Sequence, residues 1–177
     1  MIIVGIGNIL QKDDGFGIYA ATYLHKNYTF SKDIEIINGG IEGINLLNIF
    51  MENDHILILD TIDLKDSSSS IYLLPAEELS GHGLNSGGAH EIGVLQCLDM
   101  LEMQGKTIPK STIVGIVPQE VTFDISLSTT LKDAFDGYIK VVSNYLIKNG
   151  ITAKKRDQIT TLEDVINLAK NPSSVMI

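Results

Sequence analysis

The segment Gly5-Ile6-Gly7-Asn8-Ile9-Leu10-Gln11-Lys12-Asp13-Asp14-Gly15-Phe16-Gly17 directly follows a short apolar run at residues 1–4. Such a pattern reads as a buried strand entering a tight glycine turn, and the turn presents two adjacent carboxylates. Asp60 comes straight after the apolar run 55–59, and His90 stands at the head of a helical pattern. Two carboxylates and an imidazole are a hard-to-borderline ligand set for a divalent metal.

These residues can converge only if the elements behind them are arranged to bring them together. Apolar segments alternate with helical patterns along the chain. This is the signature of an α/β fold: a mostly parallel twisted sheet of about five strands with helices on both faces, in three layers. Strands are expected at 2–5, 34–37, 55–59, 71–74 and 112–117, and helices at 17–27, 42–51 and 90–104. A long final helix is capped by Ser128, reaches Lys148 and ends at Gly150. The strand at 71–74 follows a serine turn, 67–70, too short for a crossover helix, so it is expected to be antiparallel. Residues 80–88 hold four glycines and read as a mobile loop. Residues 1–150 form one domain. The stretch 151–177 reads as an extension whose short helix starts at Thr160 or Thr161 by capping-box spacing and either docks or hangs free.

In open α/β sheets ligands bind beyond the carboxyl ends of the strands, where strand order reverses. With the common order 2-1-3, Asp14 beyond the first strand and Asp60 at the end of the third open onto one crevice, and His90 can close over it. Each residue also has a plainer use. Asp13 and Asp14 can cap the first helix, Asp60 can begin a turn, and His90 can be a loop or capping histidine. His82 is a spare candidate in the glycine-rich loop, Asp63 reads as loop surface, and Cys97 as core.

Several familiar motifs are excluded. The third glycine of a dinucleotide fingerprint is replaced by Leu10, and two acids behind the turn would repel a pyrophosphate. No phosphate loop or nucleophile elbow occurs, and Val94 stands where H-E-x-x-H needs its second histidine. No serine, threonine or cysteine has an evident base, so any hydrolysis would draw on a metal. With a net charge of −9 and a pI of about 4.7, nucleic acid is an unsuitable partner. No apolar run approaches the ~20 residues of a membrane span. One cysteine and no signal-peptide pattern point to the cytoplasm, and no heptad or large apolar tail argues against a monomer.

Together the motifs resemble the [NiFe]-hydrogenase maturation endopeptidases. The resemblance rests on the N-terminal G-x-G-N-x-L-x-x-D-D-G-F-G, on Asn38-Gly39-Gly40, and on the run from Asp54 to Asp60. It rests further on His90-Glu91-Ile92-Gly93-Val94 and on Val114-Gly115-Ile116-Val117-Pro118-Gln119 with Glu120 behind it. It covers roughly residues 1–150. It implies a protease that trims a C-terminal peptide from a hydrogenase large-subunit precursor after the nickel–iron centre is inserted, with Asp14, Asp60 and His90 as metal ligands. The nickel is expected to arrive with the substrate, with zinc or another divalent ion as a surrogate. Asn38 departs from the family, where an aspartate is frequent, which puts any general-base role at that position in doubt. Two rival readings remain: a nucleotide-binding α/β protein, and a non-proteolytic assembly factor that recognises the metal centre.

Overall fold

A computed structural model of the chain describes residues 1–40, 46–81 and 89–171, the side chains of 79–81 and 89–92 excepted. The central sheet is built from five strands in the order β3-β1-β4-β6-β5. These are β1 (Ile2–Ile6), β3 (Glu35–Gly40), β4 (His55–Thr61), β5 (Ile71–Pro75) and β6 (Lys110–Ile116). β3, β1, β4 and β6 run parallel, and β5 lies antiparallel on β6, as the short connection demands.

The apolar strands are buried on both faces, and the pleat sorts their side chains. Ile3, Leu57, Leu59, Val114 and Ile116 face one core together with α1 (Phe16–Asn27) and α4 (Thr129–Lys148). Ile2, Val4, Ile6, Ile56, Ile58 and Ile113 face the other, packed on α2 (Leu47–Glu52) and α3 (Ala89–Met103). Cys97 lies in this second core, and burial pushes its thiol pKa up. Of the expected helix 42–51, the part before residue 46 lies outside the described residues.

Strand order reverses between β1 and β4. The chain leaves β1 through α1 to reach β3 on one side, then returns through α2 to β4 on the other. α1 sits unusually close to this seam. A Cβ at Gly17 would lie 2.1 Å from the Leu59 carbonyl oxygen and 2.4 Å from that of Ile6, so any side chain there would push the helix off both strands. β4 also runs two residues beyond the apolar run, because Asp60 and Thr61 still pair with Gly115 and Ile116 of β6.

Beyond Gly150 the chain folds back onto α1. β7 (Ala153–Lys155) pairs antiparallel with β2 (Tyr28–Phe30), a small ribbon that the charged sequence does not suggest. The buried Asn27 side chain donates to the Thr160 carbonyl and accepts from the Thr160 amide. Thr161 and Asp164 form a capping box for α5 (Leu162–Ala169), which buries Val165, Ile166 and Ala169 in the α1–α4 core. The extension thus docks on the body as far as it is described.

Truncating Ile166 to alanine is expected to cost about 2–4 kcal/mol in urea unfolding, the range for an emptied core position. A second expectation concerns pH. His55 shares a 2.7 Å hydrogen bond with the Tyr145 hydroxyl, and burial, Lys110 and the N-terminal charge lower its pKa from the usual 6.5. The unfolded chain therefore binds a proton more readily than the folded one. The contribution of His55 is complete above about pH 6.5 and is lost as pH falls from there through the lowered value of the folded chain. The loss of stability between pH 7 and pH 5 should be smaller in His55→Phe than in the parent chain.

Candidate active site

The turn after β1 is shaped by glycine and closed by hydrogen bonds. Gly7 has φ +143, and a Cβ there would lie 2.0 Å from the Asp14 carbonyl oxygen. The neighbouring Asn8 amide lies 3.2 Å from that oxygen and 3.1 Å from Asp14 Oδ2. Asp14 is thereby drawn back over the exit of β1, at the carboxyl edge of the sheet. Asp60, only 2% exposed, ends the neighbouring strand, and its Oδ1 accepts from the Thr61 amide at 2.8 Å. The Thr61 hydroxyl reaches Asp14 Oδ1 at 3.4 Å. One threonine therefore touches both carboxylates at the point where strand order reverses.

The expected third ligand, His90, belongs to the first turn of α3. α3 precedes β6, the strand that runs parallel to β4. The His90 side chain lies outside the described residues, as does His82 in the glycine-rich segment. Among the described residues no three His, Cys, Asp or Glu side chains are gathered for a metal ion. His25 is exposed and His55 belongs to the far, amino edge of β4, so neither takes part.

The two adjacent acids divide their duties, which their types alone do not reveal. Asp13 is fully buried. Its Oδ2 accepts from the amides of Gln119 and Glu120, and its Oδ1 from the amide of Ser128 at 2.7 Å. Ser128 in turn caps α4 by accepting from the Leu131 amide. Asp13 therefore fastens the β6–α4 loop beneath Asp14, and its charge lies at the positive end of α4. Glu120, the acid expected after the last strand, is exposed and paired with Lys12, which lowers the carboxyl pKa and raises that of the lysine. Asn38 turns its Oδ1 onto the Gly40 amide at 2.9 Å and holds the end of β3. Tyr138, wholly buried under the sheet, donates to the Val114 carbonyl, and burial raises its pKa well above the usual value.

The family model for hydrogenase maturation proteases, HycI, matches residues 18–145. The chain belongs to the hydrogenase maturation protease family. It is 28% identical over 160 residues to the Hydrogenase 2 maturation protease of Escherichia coli K12, an alignment covering 90% of this chain and 98% of the relative. The hydrogenase expression/formation protein HupD of Thiocapsa roseopersicina is 25% identical over 162 residues, 90% of this chain and 73% of that one. Among solved structures, the hydrogenase maturating endopeptidase HybD from E. coli is similar with a TM-score of 0.80, at 28% identity, over 88% of this chain and 96% of its own.

Asp13→Asn keeps the shape of the side chain but replaces a carboxylate oxygen with a donor facing backbone donors. The expected cost is about 2–4 kcal/mol of stability, read from urea unfolding.

Proposed function

We propose that this chain is the endopeptidase that removes the C-terminal peptide of a [NiFe]-hydrogenase large-subunit precursor once nickel has been inserted. The observation that carries this reading is the pair Asp14 and Asp60, joined through Thr61 at the reversal of strand order. Family membership supplies the reaction class, and the names of the relatives supply the hydrogenase.

Asp14, Asp60 and His90 are the residues we assign to the nickel that the precursor carries. Two carboxylates and an imidazole suit that ion, and zinc or another divalent ion is the expected surrogate in its absence. Nickel supplies Lewis acidity at the scissile carbonyl. The chain's own part is orientation. Thr61 holds one oxygen of each carboxylate, Asn8 holds the second oxygen of Asp14, and the burial of Asp60 strengthens its pull on a cation. Neither Asp14 nor Asp60 needs to act as a nucleophile. The reading carries with it action in the cytoplasm as a monomer. Among the described residues, no helix is long and apolar enough to cross a membrane.

Mass spectrometry of nickel-loaded and nickel-free precursor, each mixed with this protein, tests the proposal. Loss of a C-terminal peptide from the nickel-loaded form alone is expected. Asp14→Asn, Asp60→Asn and His90→Ala should each slow that cleavage by more than about 100-fold while remaining folded, on the scale of lost metal ligation. Processing at the parent rate by all three variants would remove the site assignment. Tight binding without any change of mass would favour the assembly-factor reading.

A further inference from the structure

Lys154, Lys155 and Arg156 stand in a row, in a chain whose net charge is −9. In the fold these residues and Lys26 line one open cleft of about 1230 Å³. Four of the thirteen lysines and arginines of the chain, its single arginine included, thus meet at one place. Among the described residues, Asp157 and Asp164 are the acids of that lining, so its sign is opposite to that of the protein as a whole.

The cations come from two segments far apart in sequence, and the fold fixes their spacing. Lys26 lies in the last turn of α1, whose carboxyl end favours a positive charge. That preference accounts for Lys26 but not for the other three. Thr29 pairs with Lys154 across the β2–β7 ribbon, and Tyr28 pairs with Lys155. The Arg156 amide extends the ribbon by donating to the Asn27 carbonyl at 2.8 Å. Strand alternation then sets Lys154 and Arg156 on one face, and Lys155 on the other with its ammonium 5.9 Å from the centre of the Tyr28 ring. The Asp164 carboxylate accepts from the Thr161 amide at 3.1 Å and from its hydroxyl at 2.6 Å, so this charge serves the amino end of α5. Among the described residues, ion pairs join Lys12 to Glu120 and Lys132 to Glu163, both outside the lining.

We propose that this cleft binds an acidic stretch of polypeptide and, resting on the proteolytic reading above, that the stretch belongs to the precursor. The volume exceeds the roughly 300–1,000 Å³ of small-molecule pockets, and Lys26, Lys154 and Arg156 are all exposed, which suits an extended chain better than a compact ion. The Arg156 guanidinium can take a carboxylate through two parallel hydrogen bonds, and the ammonium groups act as point charges. α1 begins two residues after Asp14 and carries the chain about 15 Å to Lys26, so the cleft lies apart from the place of cutting. Its occupant adds affinity for the precursor without touching the bond to be cut.

Octaglutamate, titrated calorimetrically into the full chain, tests the cleft without any precursor. Binding is expected at low salt and should weaken as sodium chloride rises from about 50 mM to about 300 mM. Lys154→Glu combined with Arg156→Glu should weaken it at least about tenfold at an unchanged thermal midpoint. Lys106→Glu combined with Lys140→Glu makes the same change of net charge at exposed positions outside the lining, and should leave affinity within about twofold. Failure of the parent chain to bind, or equal affinities in the two double variants, would overturn the proposal. Tighter binding of tripolyphosphate than of octaglutamate would overturn the choice of a peptide in favour of a phosphorylated small molecule. With nickel-loaded precursor, the Lys154 and Arg156 double variant should raise KM at least about threefold with kcat within about twofold, and an unchanged KM would overturn the assignment to the precursor. A parent chain that binds octaglutamate but never cuts precursor would overturn the proteolytic reading and leave the cleft standing.

Discussion

A fully buried carboxylate, that of Asp13, gathers the amides of Gln119, Glu120 and Ser128 from a segment more than a hundred residues away. Burying a charge is costly unless hydrogen bonds replace its water, and three backbone donors do so here. Through that cluster the glycine turn after β1, the β6–α4 loop and the start of α4 become one body. The mouth of the sheet keeps its form because the loop cannot leave without stranding the charge and three amides together.

Asp14 is free of this duty and turns instead to Thr61 and Asn8. The adjacency of the two acids is therefore functional in a mechanical sense. The first anchors the platform and the second is carried on it, offset by one residue toward the crevice. Asp60 reaches the same place from the neighbouring strand, because parallel pairing with β6 carries β4 two residues past its apolar run. The close packing of Gly17 on Ile6 and Leu59 sets how near those two strand ends come to the helix that follows the turn.

Much of this is legible in the residues themselves. The continuous apolar runs at β1, β4 and β6 mark strands buried on both faces, and Ser128 and Gly150 mark the ends of α4. The glycine turn and the order of the elements are enough to place Asp14 and Asp60 at one edge of the sheet. Less legible is what depends on partners distant in the chain. β2 and β7 are three-residue strands, and β7 is mostly charged, so neither has a pattern of its own and each exists because of the other. Asp13 and Asp14 are chemically identical neighbours, and only the position of the β6–α4 loop tells them apart. The role of Thr61 is equally hidden, since a threonine at a strand end is unremarkable until both carboxylates are seen against it.

The return of the chain onto α1 has a kinetic consequence. Asn27 binds Thr160 across 133 residues, and Thr29 meets Lys154 across 125. Contacts so remote in sequence carry a large loop-closure cost before they return any stabilisation, and they slow folding. During synthesis the face of α1 that α5 covers stays exposed until α5 has left the ribosome, so this part of the core closes late. A released chain that stopped near Gly150 would contain every strand of the parallel sheet yet expose the surface that α5 covers.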